Sequence, residues 1–75
     1  MSKLPQISGR ECVRTFQNAG FSIMRQKGSH IYMRRDNPFM QISVPNHKTL
    51  KPGTLRSLIR QSGLTVDKFN NLLRK

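Results

Sequence analysis

Apolar residues along the chain change period twice, and each change marks a change of element. Ile7, Cys12, Val13, Phe16 and Ala19 first recur at the three- and four-residue spacing of a helical stripe. Ser8 followed by Glu11 has capping-box spacing, Ile7 and Cys12 can staple the turn around it, and Gly20 supplies a stop, so a helix is predicted over 9–19. Beyond Gly20 the helical spacing gives way to alternation, which predicts strands over 21–27, 30–35 and 39–44. Gly28-Ser29 and Asp36-Asn37-Pro38 separate them as turn-type sequences, and such short connections imply an antiparallel meander. Pro45 and Pro52 then bracket a polar connection, after which Leu55, Leu58 and Ile59 return to helical spacing and Gly63 offers a second stop. Thr65 can cap a last short helix, with Asp67 near the positive end of its dipole and Phe69, Leu72 and Leu73 as its buried stripe.

The order α-β-β-β-α-α predicts an α+β fold in which a three-stranded antiparallel sheet carries its helices on one face. No repeat, low-complexity tract or long linker interrupts it, so a single domain over 1–75 is expected. Alternation turns Ile31 and Met33 to one side of the second strand and His30, Tyr32 and Arg34 to the other. In the third strand Met40, Ile42 and Val44 oppose Phe39, Gln41 and Ser43. The apolar sets should meet the helices, which leaves His30 on the open face. For the first strand a two-residue hairpin turns Met24 and Gln26 inward, whereas a three-residue loop turns Phe21 and Ile23 inward; the longer loop is the preferred reading.

Charge narrows the partners. Fourteen Lys and Arg against three acids give a formal charge of +11 on 75 residues, which calls for a partner dense in negative charge, and nucleic acid is the commonest. An anionic membrane would also suit the charge. However, the longest apolar run is the three-residue Ile31-Tyr32-Met33, and Met1-Ser2-Lys3 leads into no apolar core, so neither a membrane span nor a secretory signal is expected. A chain this short buries only about 60% of its unfolded surface, so chemistry on an open surface is expected rather than in a deep cavity. The lone Cys12 can form no internal disulfide and is read as core, with the cytoplasm as the default compartment.

Glu11, Asp36 and Asp67 are the only carboxylate side chains, and each has a structural use in a cap, a turn or a helix start. Magnesium and manganese sites need several oxygen ligands, so neither a metal-dependent nuclease nor a cofactor is expected. Histidine, lysine, arginine and backbone amides remain, and they suffice for cleaving RNA, because the nucleophile can be the substrate's own 2′-hydroxyl. His30 is the candidate general base. Arg25 and Lys27 are candidates for stabilising the transition-state charge, and Ser29 for a hydrogen bond to phosphate. The general acid is left open, with His47 and Lys48 as candidates. Tyr32 can stack on a base. At the start of the second long helix, Pro52 and Gly53 leave amides open to a phosphate, with Lys48, Lys51 and Arg56 around it. The plainer readings stand beside these: a turn histidine with a satisfied hydrogen bond, a sheet-surface tyrosine, and lysines that serve solubility. A non-catalytic RNA-binding module or an architectural DNA-binding protein would fit the charge equally, but the latter gives His30 no purpose.

Ala19-Gly20-Phe21, Arg25-Gln26-Lys27-Gly28-Ser29-His30, Val44-Pro45 and the block from Leu50 through Lys51-Pro52-Gly53-Thr54 to Thr65, in this order, resemble the HicA (YcfA-like) toxin family of toxin-antitoxin systems. The resemblance covers nearly the whole chain. It implies a double-stranded-RNA-binding-domain-like fold, mRNA interferase activity with His30 as the catalytic residue, and inhibition by a separate HicB-like antitoxin protein. Asp36-Asn37-Pro38-Phe39 departs from the usual aspartate-glycine type of turn, and the connection 45–51 is variable in such proteins, so no role carries over to His47.

Overall fold

The computed structural model describes residues 3–75. Its elements are α1 (Gly9–Asn18), β1 (Ser22–Lys27), β2 (His30–Arg35), β3 (Met40–Pro45), α2 (Pro52–Ser62) and α3 (Val66–Leu73), with the strands in the order β1-β2-β3 and antiparallel throughout. This is the expected α+β order.

The helix ends form as their residues dictate. The Ser8 hydroxyl accepts from the Glu11 amide at 3.1 Å and the Glu11 carboxylate accepts from the Ser8 amide at 3.0 Å, closing the capping box. At the other end Gly20, at φ +96°, reverses the chain: its amide donates to the Gln17 carbonyl at 3.0 Å and the Phe21 amide to the Phe16 carbonyl at 3.0 Å. This pair of bonds is a Schellman motif, and its apolar contact is Phe21 against Phe16, edge to face at 5.4 Å. Phe21 therefore belongs to the helix terminus, and β1 starts one residue later than predicted. Gly63 (φ +82°) stops α2, and the Thr65 hydroxyl caps α3 by accepting from the Lys68 amide at 3.1 Å.

The first hairpin corrects the loop-length reading. Lys27 pairs directly with His30, so Gly28 and Ser29 alone form the turn, with Gly28 at φ +60°. The register then shifts between Ile23 and Arg25, a β-bulge that absorbs Met24. Gln26 opposite Ile31 and Ile23 opposite Met33 thus share the helix-facing side, each taken from a different one of the two alternatives. Ile23 is still 48% exposed, because the helical layer does not reach over the edge strand. The third strand begins at Met40 rather than Phe39, which stays in the turn and is exposed.

The apolar faces meet as alternation requires. Ile31, Met33, Ile42 and Val44 pack under Cys12, Val13 and Phe16 of α1, Leu55, Leu58 and Ile59 of α2, and Phe69 of α3. Phe16 is central, with Phe21 on one side and Phe69 at 5.2 Å on the other. Burial pushes the Cys12 thiol up to about 12, which makes it an inert core group. Arg35 faces the same way as Met33; its guanidinium lies 4.9 Å from the Phe21 ring centroid and donates to the Ser62 carbonyl at 3.1 Å, pinning the C-terminus of α2 to β2.

The polar connection before α2 is tied down by main-chain bonds. The Gly9 amide donates to the His47 carbonyl (2.8 Å), the Leu50 amide to the Ile7 carbonyl (2.9 Å) and the Asn46 amide to the Ser29 carbonyl (2.6 Å). A side chain on Gly9 would overlap the Pro45 carbonyl oxygen, so glycine is required there for close approach. Gly9→Ala should therefore lower unfolding stability in urea by about 1–3 kcal/mol, despite alanine's better helix propensity. Gly53→Ala, at a first-turn site with nothing within 4 Å, should be neutral or stabilising by up to about 1 kcal/mol. Equal effects of the two substitutions would refute the close-approach account.

Candidate nucleic-acid interface

Register and alternation together place Arg25, Lys27, His30, Tyr32, Arg34, Gln41 and Ser43 on the open face of the sheet. Lys27 stands directly across from His30, and cross-strand partners have Cβ atoms within about 5.5 Å. The next cross-strand row is Arg25, Tyr32 and Ser43, with the Arg25 guanidinium 5.2 Å from the Tyr32 ring centroid in a cation–π contact. His30, Lys27 and Arg25 are exposed and Tyr32 is half-buried. Arg34 is drawn aside toward the turn, 3.5 Å from Asp36.

The open face is bounded by α2. Leu55, Leu58, Ile59 and Ser62 bury one side of that helix, and Thr54, Ser57 and Gln61 line the adjacent side, facing the sheet. The result is two adjoining concavities. One, of about 470 Å³, lies between His30, Ser43 and Pro45 on the sheet and Gly53, Thr54, Ser57 and Gln61 on α2. The other, of about 630 Å³, holds Met24, Arg25, Tyr32, Gln41, Ser43 and Gln61.

The first turn of α2 opens into the His30 concavity. Lys51 is its N-cap without a side-chain capping bond, Pro52 occupies the first turn, and the first helical bond runs from the Leu55 amide to the Lys51 carbonyl at 3.0 Å. The Gly53 and Thr54 amides precede that bond, and both residues line the concavity. An anion there meets free donors and the positive end of the dipole.

The two-residue turn brings Arg25 and Lys27 to the same face as His30 and Tyr32, where the longer loop preferred from sequence would have turned them inward; Ser29 lies in the turn beside them, its carbonyl tied to Asn46. Lys51 stands at the helix start. Lys48 and Arg56 are exposed and, like Lys27, Ser29 and Lys51, line neither concavity. Arg56 is two residues on from Thr54, about 200° around the helix. His47 is exposed, contributes its main-chain carbonyl to Gly9, and also lies outside the groove. Ser43, Thr54, Ser57 and Gln61 are groove residues that sequence reasoning missed. The 54/57/61 spacing beside a buried 55/58/59 stripe was the available signal. Glu11, Asp36 and Asp67 line neither concavity, and among the described residues no three His, Cys, Asp or Glu stand together.

The element order, the antiparallel sheet and the helices on one face define an α+β domain compatible with the double-stranded-RNA-binding-domain-like fold, here with an additional C-terminal helix. Residues 9–64 match the family model described as the HicA toxin of bacterial toxin-antitoxin, and the chain belongs to that family. The matched span runs from the start of α1 to just beyond α2, leaving α3 outside it. No curated protein matches the chain. Membership of a toxin-antitoxin family implies an antitoxin partner. Among the described residues no helix is long and apolar enough to cross a membrane.

If this face seats phosphates, Lys27→Ala and Lys51→Ala should each weaken binding of single-stranded RNA about equally across sequences. Each should also make the log–log salt dependence shallower by about 0.7. Arg56→Ala, turned away from the groove, should leave the slope nearly unchanged. Identical slopes for all three variants would mean that the positive charge acts only as a diffuse field.

Proposed function

We propose that the chain is a toxin acting as a metal-independent mRNA interferase, with His30 as its catalytic residue, held in check by a HicB-like antitoxin. The observation that carries the reading is the position of His30: exposed on the open sheet face, opposite Lys27, in a groove whose far wall is the open first turn of α2. Family membership supplies the toxin-antitoxin context.

In this reading the His30 imidazole takes the proton of a substrate 2′-hydroxyl, that oxygen attacks the adjacent phosphorus as the bond to the 5′ oxygen breaks, and the departing 5′ oxygen takes a proton from water. The products are a 2′,3′-cyclic phosphate and a 5′-hydroxyl end. The phosphorane-like transition state carries extra negative charge on its non-bridging oxygens, and stabilising it falls to Lys27 across the strand pair and to the Gly53 and Thr54 amides. Tyr32 offers a stacking surface, with Arg25 above it. The three carboxylates are committed elsewhere: Glu11 to the capping box, Asp36 beside Arg34, and Asp67 in the first turn of α3. A reaction on translated mRNA is at home in the cytoplasm.

His30→Ala should lower the cleavage rate by at least about 100-fold while leaving the circular dichroism and the affinity for a 2′-deoxy substrate analogue unchanged. Wild-type cleavage should persist in EDTA and leave a 2′,3′-cyclic phosphate. Cleavage by the alanine variant would remove His30 from the mechanism, and a wild-type protein that binds RNA but never cuts it would instead be a binding module.

The same surface predicts how the antitoxin works. An acidic partner gains on-rate and orientation from a charge of +11, and docking on the open face buries His30 and Tyr32. The antitoxin and RNA should therefore compete in a binding titration. A ternary complex holding intact RNA at the groove would point to inhibition at a distance.

A further inference from the structure

We propose that Gln61 determines base specificity, reading the edge of one nucleobase next to the phosphate held at His30; the inference rests on the ribonuclease reading above. The two concavities of the groove share Ser43 and Gln61, so Gln61 stands where the His30 compartment meets the Tyr32 compartment. His30 and Tyr32 lie two residues apart on one face of β2, about 6.6 Å along the strand. An RNA strand with its phosphate at His30 therefore brings a neighbouring base toward Tyr32, and the edge of a base lying on that ring faces the α2 wall.

The chemistry of the wall suits reading rather than holding. In a chain with fourteen cationic side chains, the groove-facing side of α2 presents Thr54, Ser57 and Gln61, all uncharged. A neutral amide adds little to phosphate affinity, but its carbonyl and N–H match the adjacent donor and acceptor of a base edge. Single-stranded RNA exposes such edges once its bases are unstacked.

Gln61 is also held in place. Its Nε2 donates to the Ser57 hydroxyl at 3.0 Å, one turn earlier on the helix, which leaves Oε1 as an acceptor and the second N–H as a donor. Ser57 is thus a positioning residue that fixes the amide before RNA arrives. Gln61 itself is exposed, so its replacement removes little packing.

The test uses the full chain and 2′-O-methyl RNA homopolymers of each of the four bases, which bind without being cut, with fluorescence anisotropy as the readout. Wild type should separate the best from the worst base by about tenfold, and Gln61→Leu should compress that range to about twofold. The salt slope and the affinity for the worst base should not change. Gln61→Glu, which keeps the acceptor and loses the donor, should re-order the bases toward adenine, cytosine and guanine, whose exocyclic amines can donate, and away from uracil, which has none. Ser57→Ala should fall between wild type and Gln61→Leu. An unchanged ranking in Gln61→Leu, or no ranking in wild type, would overturn the inference. Because these oligonucleotides cannot be cleaved, a protein that ranks bases through Gln61 yet fails to cut ribose RNA keeps this inference and loses the nuclease reading.

Discussion

A three-stranded sheet has two faces, and this chain has apolar side chains enough to cover one. Ile31, Met33, Ile42 and Val44 are buried under the helices, and what alternates with them must be at home in water. A one-residue slip of β2 against its neighbours would bury His30 and Tyr32 and expose Ile31 and Met33. The burial that stabilises the fold is therefore also what presents the histidine. Domains of this size leave a large fraction of their surface exposed, and here the open face of the sheet within that fraction carries Arg25, Lys27, His30, Tyr32, Gln41 and Ser43. Phe16 anchors the arrangement by touching both Phe21 at the entrance to the sheet and Phe69 of α3.

Electrostatics contributes little to holding the fold together. Among the described residues the one close ion pair is Arg34 with Asp36, largely exposed, and pairs of that kind are worth at most about 1 kcal/mol. The remaining cations are mostly unneutralised, and their mutual repulsion opposes compaction. Hydrophobic burial, caps and main-chain ties have to outweigh it. A polyanion or an acidic protein on the open face relieves the same repulsion, so the charge that weakens the free chain favours its complexes.

What could be read from the sequence was what is decided locally. The Ser8–Glu11 box, the Gly20 and Gly63 stops and the Thr65 cap each depend on residues within a few positions, and each forms. The face on which His30 lies was legible because polar and apolar residues alternate from His30 to Arg34 in β2 and from Met40 to Val44 in β3. The β1 register was not, because a bulge at Met24 breaks the period, and an edge strand beyond the helical layer carries no burial signal to reveal the break. The inward Arg35 was equally hidden: its partners, the Phe21 ring and the Ser62 carbonyl, are distant in sequence. The wall of the groove was missed for a related reason. The periodicity of α2 shows which residues are buried, but not that Thr54, Ser57 and Gln61 would stand over Ser43 and His30.

That wall bears on how a surface this basic can discriminate at all. Attraction of Lys and Arg to phosphate is strong but blind to sequence, and a groove lined only with cations would hold every RNA in every register. Choosing one phosphate for cleavage needs directional groups that interact weakly with phosphate and well with bases. In the proposed reading the two tasks fall to different elements: cations on β1 and at the start of α2 draw the strand in, and the uncharged side of α2 with Tyr32 sets where it stops. Arg35 then matters at a distance. By tying the C-terminus of α2 to β2 through Ser62, it holds the neutral wall at a fixed offset from the strand that carries His30, and selection by position requires that offset to be rigid.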